Sequence, residues 1–183
     1  MEEKNLRKMI DIKKDIKDND VVVVIFKEDY QKNLMEVTRD LSEQFEKICY
    51  INLNKPYDAL VESFKKNNIN INKFSFIDGI TSTVKTPLFI KEVRFVSAPN
   101  DLTNLNIEIT KECRENHPNI FIFDSLSSLL VYEKDFVLIE FVHSVIESLR
   151  NYKIKILFTS LDADIDSSLM KDLAMFADKI IKN

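Results

Sequence analysis

The chain has 183 residues, 45% of them apolar and 31% charged, with a net charge of −4. That is the make-up of one globular domain, which excludes a disordered chain, a fibre and a disulfide mini-protein. The acidic balance gives no electrostatic footprint for nucleic acid. Apolar runs such as Val21–Phe26 and Ile120–Phe123 are far too short to span a bilayer, so a membrane is not expected as a partner either. Met1–Lys4 runs straight into mixed charges with no apolar leader, and Cys49 and Cys113 are two widely spaced thiols. Both features lead us to expect a reducing cytoplasm. One glycine, Gly79, stands where mean usage places about a dozen.

Residues 1–20 balance six basic against six acidic side chains. Leu6, Met9, Ile10 and Ile16 recur at helical spacing, which predicts a short amphipathic leading helix ahead of a single domain over 21–183. Interleaved Asp11, Asp15, Asp18 and Asp20 argue against a membrane-surface helix, whose polar face is mostly basic. Val21–Phe26 reads as a strand buried on both faces. A helix follows from Glu28 to Lys47, with Leu34, Val37, Leu41 and Phe45 on one stripe.

Further along, Ile48–Leu53 is a second strand, and Pro56 suits the first turn of a helix carrying Leu60, Val61 and Phe64. Phe74–Asp78 is a third strand, and Gly79 turns the chain at its end. Ile80–Ile90 reads as an exposed loop, Val93–Ser97 as a fourth strand, and Asp101 as the start of a helix that His117–Pro118 stops. Asn119–Phe123 is the fifth strand and Asp135–Tyr152 a long helix. Strand Ile154–Thr159, a helix over Ser167–Phe176 and a strand at Asp178–Lys182 complete the chain. Strands alternating with helices predict a three-layer α/β/α fold with a mainly parallel sheet.

Ligands in such a sheet bind beyond the carboxyl ends of the strands. The segment Asn119-Ile-Phe-Ile-Phe-Asp124-Ser125 resembles the Walker B strand of RecA-like ATPases, especially the KaiC-like branch. Phe76-Ile-Asp-Gly79, Val96-Ser-Ala-Pro-Asn-Asp-Leu-Thr103 and Ala177-Asp-Lys-Ile-Ile181 extend the likeness to archaeal KaiC-like proteins over roughly residues 20–182. The resemblance implies a RecA-like P-loop NTPase fold, and oligomers with nucleotide held between subunits. It further implies that Asp124 holds magnesium through a water and that Ser160 stands where relatives sense phosphate.

The resemblance breaks after the first strand. G-x-x-x-x-G-K-[ST] is needed there to wrap phosphates in backbone N–H groups. Lys27-Glu-Asp-Tyr-Gln-Lys-Asn33 stands there instead, without glycine and with two carboxylates that suit a helix start. The second strand ends in Asn52-Leu-Asn54, where relatives carry acids that polarise the attacking water; asparagine cannot take up that proton.

The candidate ligand-facing residues are therefore Asp124, Ser125, Asp78 and Ser160, with no catalytic residue and no metal ligand set. For Asp124 or Ser125 the plainer expectation is a cap on the following helix. Asp78 reads as a solvated strand end unless it pairs with Asp124, and Ser160 as a strand-end hydroxyl. His117 and His143 have no second ligand at metal-binding spacing. Asp162, Asp164 and Asp166 lack the glycine and distal glutamate of a calcium loop.

The sequence thus predicts a degenerate KaiC-like protein without cofactor. Its expected partner is another copy or an active KaiC-like paralogue. The alternative is a residual ATPase with a non-standard phosphate site.

Overall fold

A computed structural model describes residues 12–183. Its first strand is β1 (Val21–Phe26), buried at all six positions. Such a strand needs cover on both faces, and its side chains divide accordingly: Val21, Val23 and Ile25 enter one hydrophobic core, Val22, Val24 and Phe26 the other. With it stand β2 (Ile48–Asn52), β3 (Phe74–Asp78), β4 (Val93–Phe95), β5 (Ile120–Asp124), β6 (Lys155–Leu161) and β7 (Lys179–Lys182). The seven strands form one sheet in the order β4-β3-β2-β5-β6-β1-β7, and every pairing is parallel.

Eight α-helices cover the sheet among the described residues: α1 (Ile12–Asp18), α2 (Tyr30–Gln44), α3 (Tyr57–Lys66), α4 (Thr81–Val84), α5 (Leu102–Glu115), α6 (Leu126–Leu130), α7 (Asp135–Asn151) and α8 (Ser168–Phe176). Connections that run toward β4 use α2, α3 and α4, while those that run toward β7 use α5 to α8. Crossovers of one hand place these two sets on opposite faces. The cores agree, since Leu34, Leu41, Leu60 and Phe64 lie in one and Leu105, Ile109, Val145 and Leu173 in the other.

The connections after β2 and β5 leave in opposite directions, so a crevice opens between the carboxyl ends of these two neighbours. Register sets Asn52 opposite Asp124 and also opposite Asp78, so three polar strand ends lie in a row. All three are fully buried.

Several boundaries differ from the sequence reading. The leading helix is described only over Ile12–Asp18, with Ile12 and Ile16 sealed in the core beside α2; Leu6, Met9 and Ile10 lie outside the described residues. The Ile80–Ile90 stretch is not all loop. Asp78 accepts hydrogen bonds from the N–H groups of Ile80 and Thr81, both at 2.7 Å, and that cap starts α4. β4 stops at Phe95 rather than Ser97, and a short 3-10 turn (Ile71–Lys73) precedes β3. β6 extends to Leu161, so Ser160 sits inside the strand rather than beyond it.

Candidate functional site

β1 passes into α2 through three residues, Lys27 to Asp29. Asp29 takes the left-handed conformation (φ 49°), and its carboxylate caps nothing. The turn is held instead by main chain and by Asn33, whose N–H donates to Asp29 O at 3.0 Å and whose amide donates to Glu28 O at 2.8 Å. The expectation that Glu28 and Asp29 start the helix is thus met in position, with a different bonding pattern.

So tight a turn delivers Tyr30, the first residue of α2, over the carboxyl ends of β5 and β6. Its ring packs edge-on against Phe26, with centroids 5.3 Å apart. Its hydroxyl donates to Asp124 Oδ1 at 2.6 Å and lies 2.8 Å from the Thr159 hydroxyl. Thr159 Oγ1 is also 2.9 Å from Phe123 O. Two hydroxyl protons therefore serve three contacts, and the hydroxyls act as one unit.

Asp124 has further donors. Tyr50 on β2 donates to Oδ2 at 2.7 Å, and the Asn54 amide donates to Oδ1. Asn54 is itself oriented by the Ser128 hydroxyl, which donates to its Oδ1. A buried carboxylate needs such partners, since an unpaired one costs several kcal/mol on the order-of-magnitude scale. Burial pushes the Asp124 carboxyl above its ordinary range, and the bonds from Tyr30 and Tyr50, the Lys55 charge and Asn54 pull it back. Burial first, and then the Asp124 charge, holds both tyrosine hydroxyls well above theirs.

Of the other expected residues Ser125 borders this cluster, beside the Tyr30 hydroxyl and 3.1 Å from the Ser128 hydroxyl, while Ser160 and Asp78 bond elsewhere. Ser125 is the cap of α6 and accepts from Ser128 N at 3.3 Å, as the plainer expectation had it; the Asp124–Ser125 peptide is cis. Ser160 faces Ser127, with hydroxyls 3.1 Å apart, and Ser127 Oγ accepts from Leu161 N at 2.8 Å. Asp78 is not a solvated strand end. It is buried, accepts from both the N–H and the hydroxyl of Thr81, and is approached by the Asn52 amide at 3.3 Å. Asn52 thus stands between Asp78 and Asp124 and keeps the two carboxylates from forming a pair.

Away from the crevice, His143 contacts Asp172 at 2.6 Å and His117 occupies a left-handed turn (φ 48°). Asp162–Asp164 forms a 3-10 turn. Among the described residues no group of three His, Cys, Asp or Glu side chains stands close enough to hold a metal ion. No described helix is long and apolar enough to cross a membrane.

Sequence reasoning placed Asn54 at the rim without its bond to Asp124, and missed Tyr30, Tyr50 and Thr159, which touch or flank that carboxylate. Tyr50 looked like ordinary core in an apolar strand. Its hydroxyl reaches the rim because β2 lies beside β5 with Tyr50 opposite Ile122, a pairing only the fold sets. Tyr30 had a weak signal, being an amphipathic aromatic at the first helical position after β1.

No described protein family matches the chain in sequence, and no curated protein does. In structure the chain is similar to a KaiC-like protein from the hyperthermophilic archaeon Pyrococcus horikoshii OT3. The TM-score is 0.66 at 14% identity, over 90% of this chain and 72% of that one. At that identity the likeness shows the fold alone, a parallel α/β sheet arranged like that of the KaiC-like protein.

Proposed function

We propose that this chain is a degenerate KaiC-like domain that does not hydrolyse nucleotide and acts in the cytoplasm as a regulatory or protein-interaction module. The observation that carries this reading is the Tyr30 hydroxyl seated on Asp124. A polyphosphate needs successive backbone N–H groups turned inward and an ammonium behind them. Here the turn has three residues, one of them left-handed and carboxylate-bearing, and Lys27 and Lys32 are exposed. A magnesium ion needs oxygen ligands at about 2.0–2.1 Å with room for its waters. Both Asp124 oxygens are instead occupied by donors from Tyr30, Tyr50 and Asn54. ATP and magnesium do not fit this set of residues.

The same group explains what the polar rim does instead. Tyr30 ties α2 to β5, Asn54 ties the β2–α3 turn to α6 through Ser128, and Asp78 starts α4. Residues that would handle a ligand hold the top of the sheet rigid, as a binding scaffold requires. The partner is a protein: another copy of this chain or an active KaiC-like paralogue.

Titration of ATP with magnesium into the full chain, followed by heat and by melting temperature, tests the reading. No heat and no rise in melting temperature are expected. Micromolar binding, or hydrolysis lost in Asp124→Asn, overturns it.

A further inference from the structure

The start of α3 and the connection from α4 to β4 (residues 85–92) enclose between them a cavity of 330 Å3. That is the small end of the range for small-molecule sites, roughly 300–1,000 Å3. Tyr57, Pro87, Leu88, Ile90 and Phe95 supply its apolar walls. Phe76 backs Tyr57 edge-on, with ring centroids 5.2 Å apart. Leu88 is 83% exposed although it forms part of the wall. A ligand seated here covers an apolar side chain that the fold alone leaves in water.

The polar lining is sparse. Its only two charges are Asp58 and Lys85, which pair with each other. Their side chains are 68% and 51% exposed, so the pair sits at the mouth. An ion pair so open to water adds little stability, and a ligand separates it at small cost. The hydroxyls of Tyr57 and Thr86 have no hydrogen-bond partner among the described residues. Burial, then Glu92 (outside the lining) and Asp58, hold the Tyr57 hydroxyl above its ordinary range, so it stays a donor. Thr81 is already engaged: its hydroxyl donates to Asp78 and accepts from Tyr57 N.

We propose that this cavity binds a free aromatic amino acid, with its ring inward and its zwitterion at the mouth. A carboxylate beside an ammonium is a pattern that a zwitterion answers with both of its charges. The ligand ammonium takes Asp58, its carboxylate takes Lys85, and the Tyr57 hydroxyl donates a further bond to that carboxylate. A simple amine or a simple acid meets one partner and is repelled by the other. The ring extends the edge-to-face series of Phe76 and Tyr57 and lies against Phe95 and Leu88. This seat uses neither Asp124 nor its donors, so the inference stands apart from the reading of the rim.

Calorimetry on the full chain with L-phenylalanine is the test. It is repeated with 2-phenylethylamine, 3-phenylpropionate and L-leucine, which lack the carboxylate, the ammonium and the ring in turn. A saturable heat is expected for L-phenylalanine, with affinity at least about tenfold lower for each of the other three. Asp58→Asn is expected to weaken L-phenylalanine by about tenfold and to bind 3-phenylpropionate no less tightly than wild type does. Lys85→Met is expected to show the converse, weakening L-phenylalanine and sparing 2-phenylethylamine. Both side chains are exposed, so both variants keep a melting temperature near that of wild type. Absence of a saturable heat, an analogue bound as tightly as phenylalanine, or undiminished affinity in Asp58→Asn overturns the proposal. The ATP titration reports on the rim alone, so failure of either inference leaves the other standing.

Discussion

The hydroxyl of Tyr30 lies 2.6 Å from Oδ1 of Asp124, across 94 residues of sequence. The contact exists because a three-residue turn sets the first residue of α2 above the rim of β5. A longer, glycine-rich connection would hold that helix start further back.

Removing the two tyrosine hydroxyls separately should have unequal effects. Tyr50 is wholly buried, so Tyr50→Phe leaves Asp124 Oδ2 without its donor and is expected to cost about 2 kcal/mol. Tyr30 is half-buried and water can replace part of what it supplies, so Tyr30→Phe should cost about 1 kcal/mol. Urea denaturation of both variants measures the difference. Equal losses would mean that the rim is wetter than the packing indicates.

The same tyrosines set an alkaline limit. Their hydroxyls titrate well above the ordinary value in the folded protein, and near about 10 once unfolded. The stability they confer is complete below that ordinary value and is lost as pH rises through and beyond it. Melting temperature should therefore fall steeply above pH 10, and less steeply in Tyr50→Phe. Parallel curves for the two proteins would contradict this.

Both thiols should be silent in the native state. Cys49 and Cys113 are fully buried. Burial, reinforced by the nearby Glu112 carboxylate, pushes the Cys113 thiol up to about 12 and the Cys49 thiol well above its usual value. Since only the thiolate attacks, a disulfide reagent at neutral pH should label neither until denaturant unfolds the chain. Labelling at the rate of a free thiol without denaturant is the contrary result.

Gly79 is required by space. A Cβ there would stand 2.9 Å from Leu53 Cδ2 and 3.2 Å from Pro99 Cα. The leucine can turn aside, but the proline main chain has to move. Gly79→Ala is expected to destabilise by roughly 1–2 kcal/mol, read from a denaturation midpoint. A neutral substitution would show the Pro99 turn to be yielding.

The architecture was legible in the sequence because burial in this fold leaves a direct trace. Val21–Phe26 and Ile120–Phe123 read as strands covered on both faces, and Asp101 and Ser125 cap the helices their positions suggested. The rim was less so. Asp124 was found from the strand it ends. Its partners come from α2, β2 and the β2–α3 turn, and such contacts depend on which strands are neighbours, which no single segment encodes. Asp78 looked solvated for the same reason: a strand-end carboxylate is buried only if the next turn supplies N–H groups, as Ile80 and Thr81 do here.

The place of β1 has a consequence for how the chain is born. Among the described residues its strand neighbours are β6 and β7, both contributed by sequence far downstream of it. Six consecutive apolar side chains thus leave the ribosome long before the strands they pair with, an interval in which chaperone capture competes with aggregation.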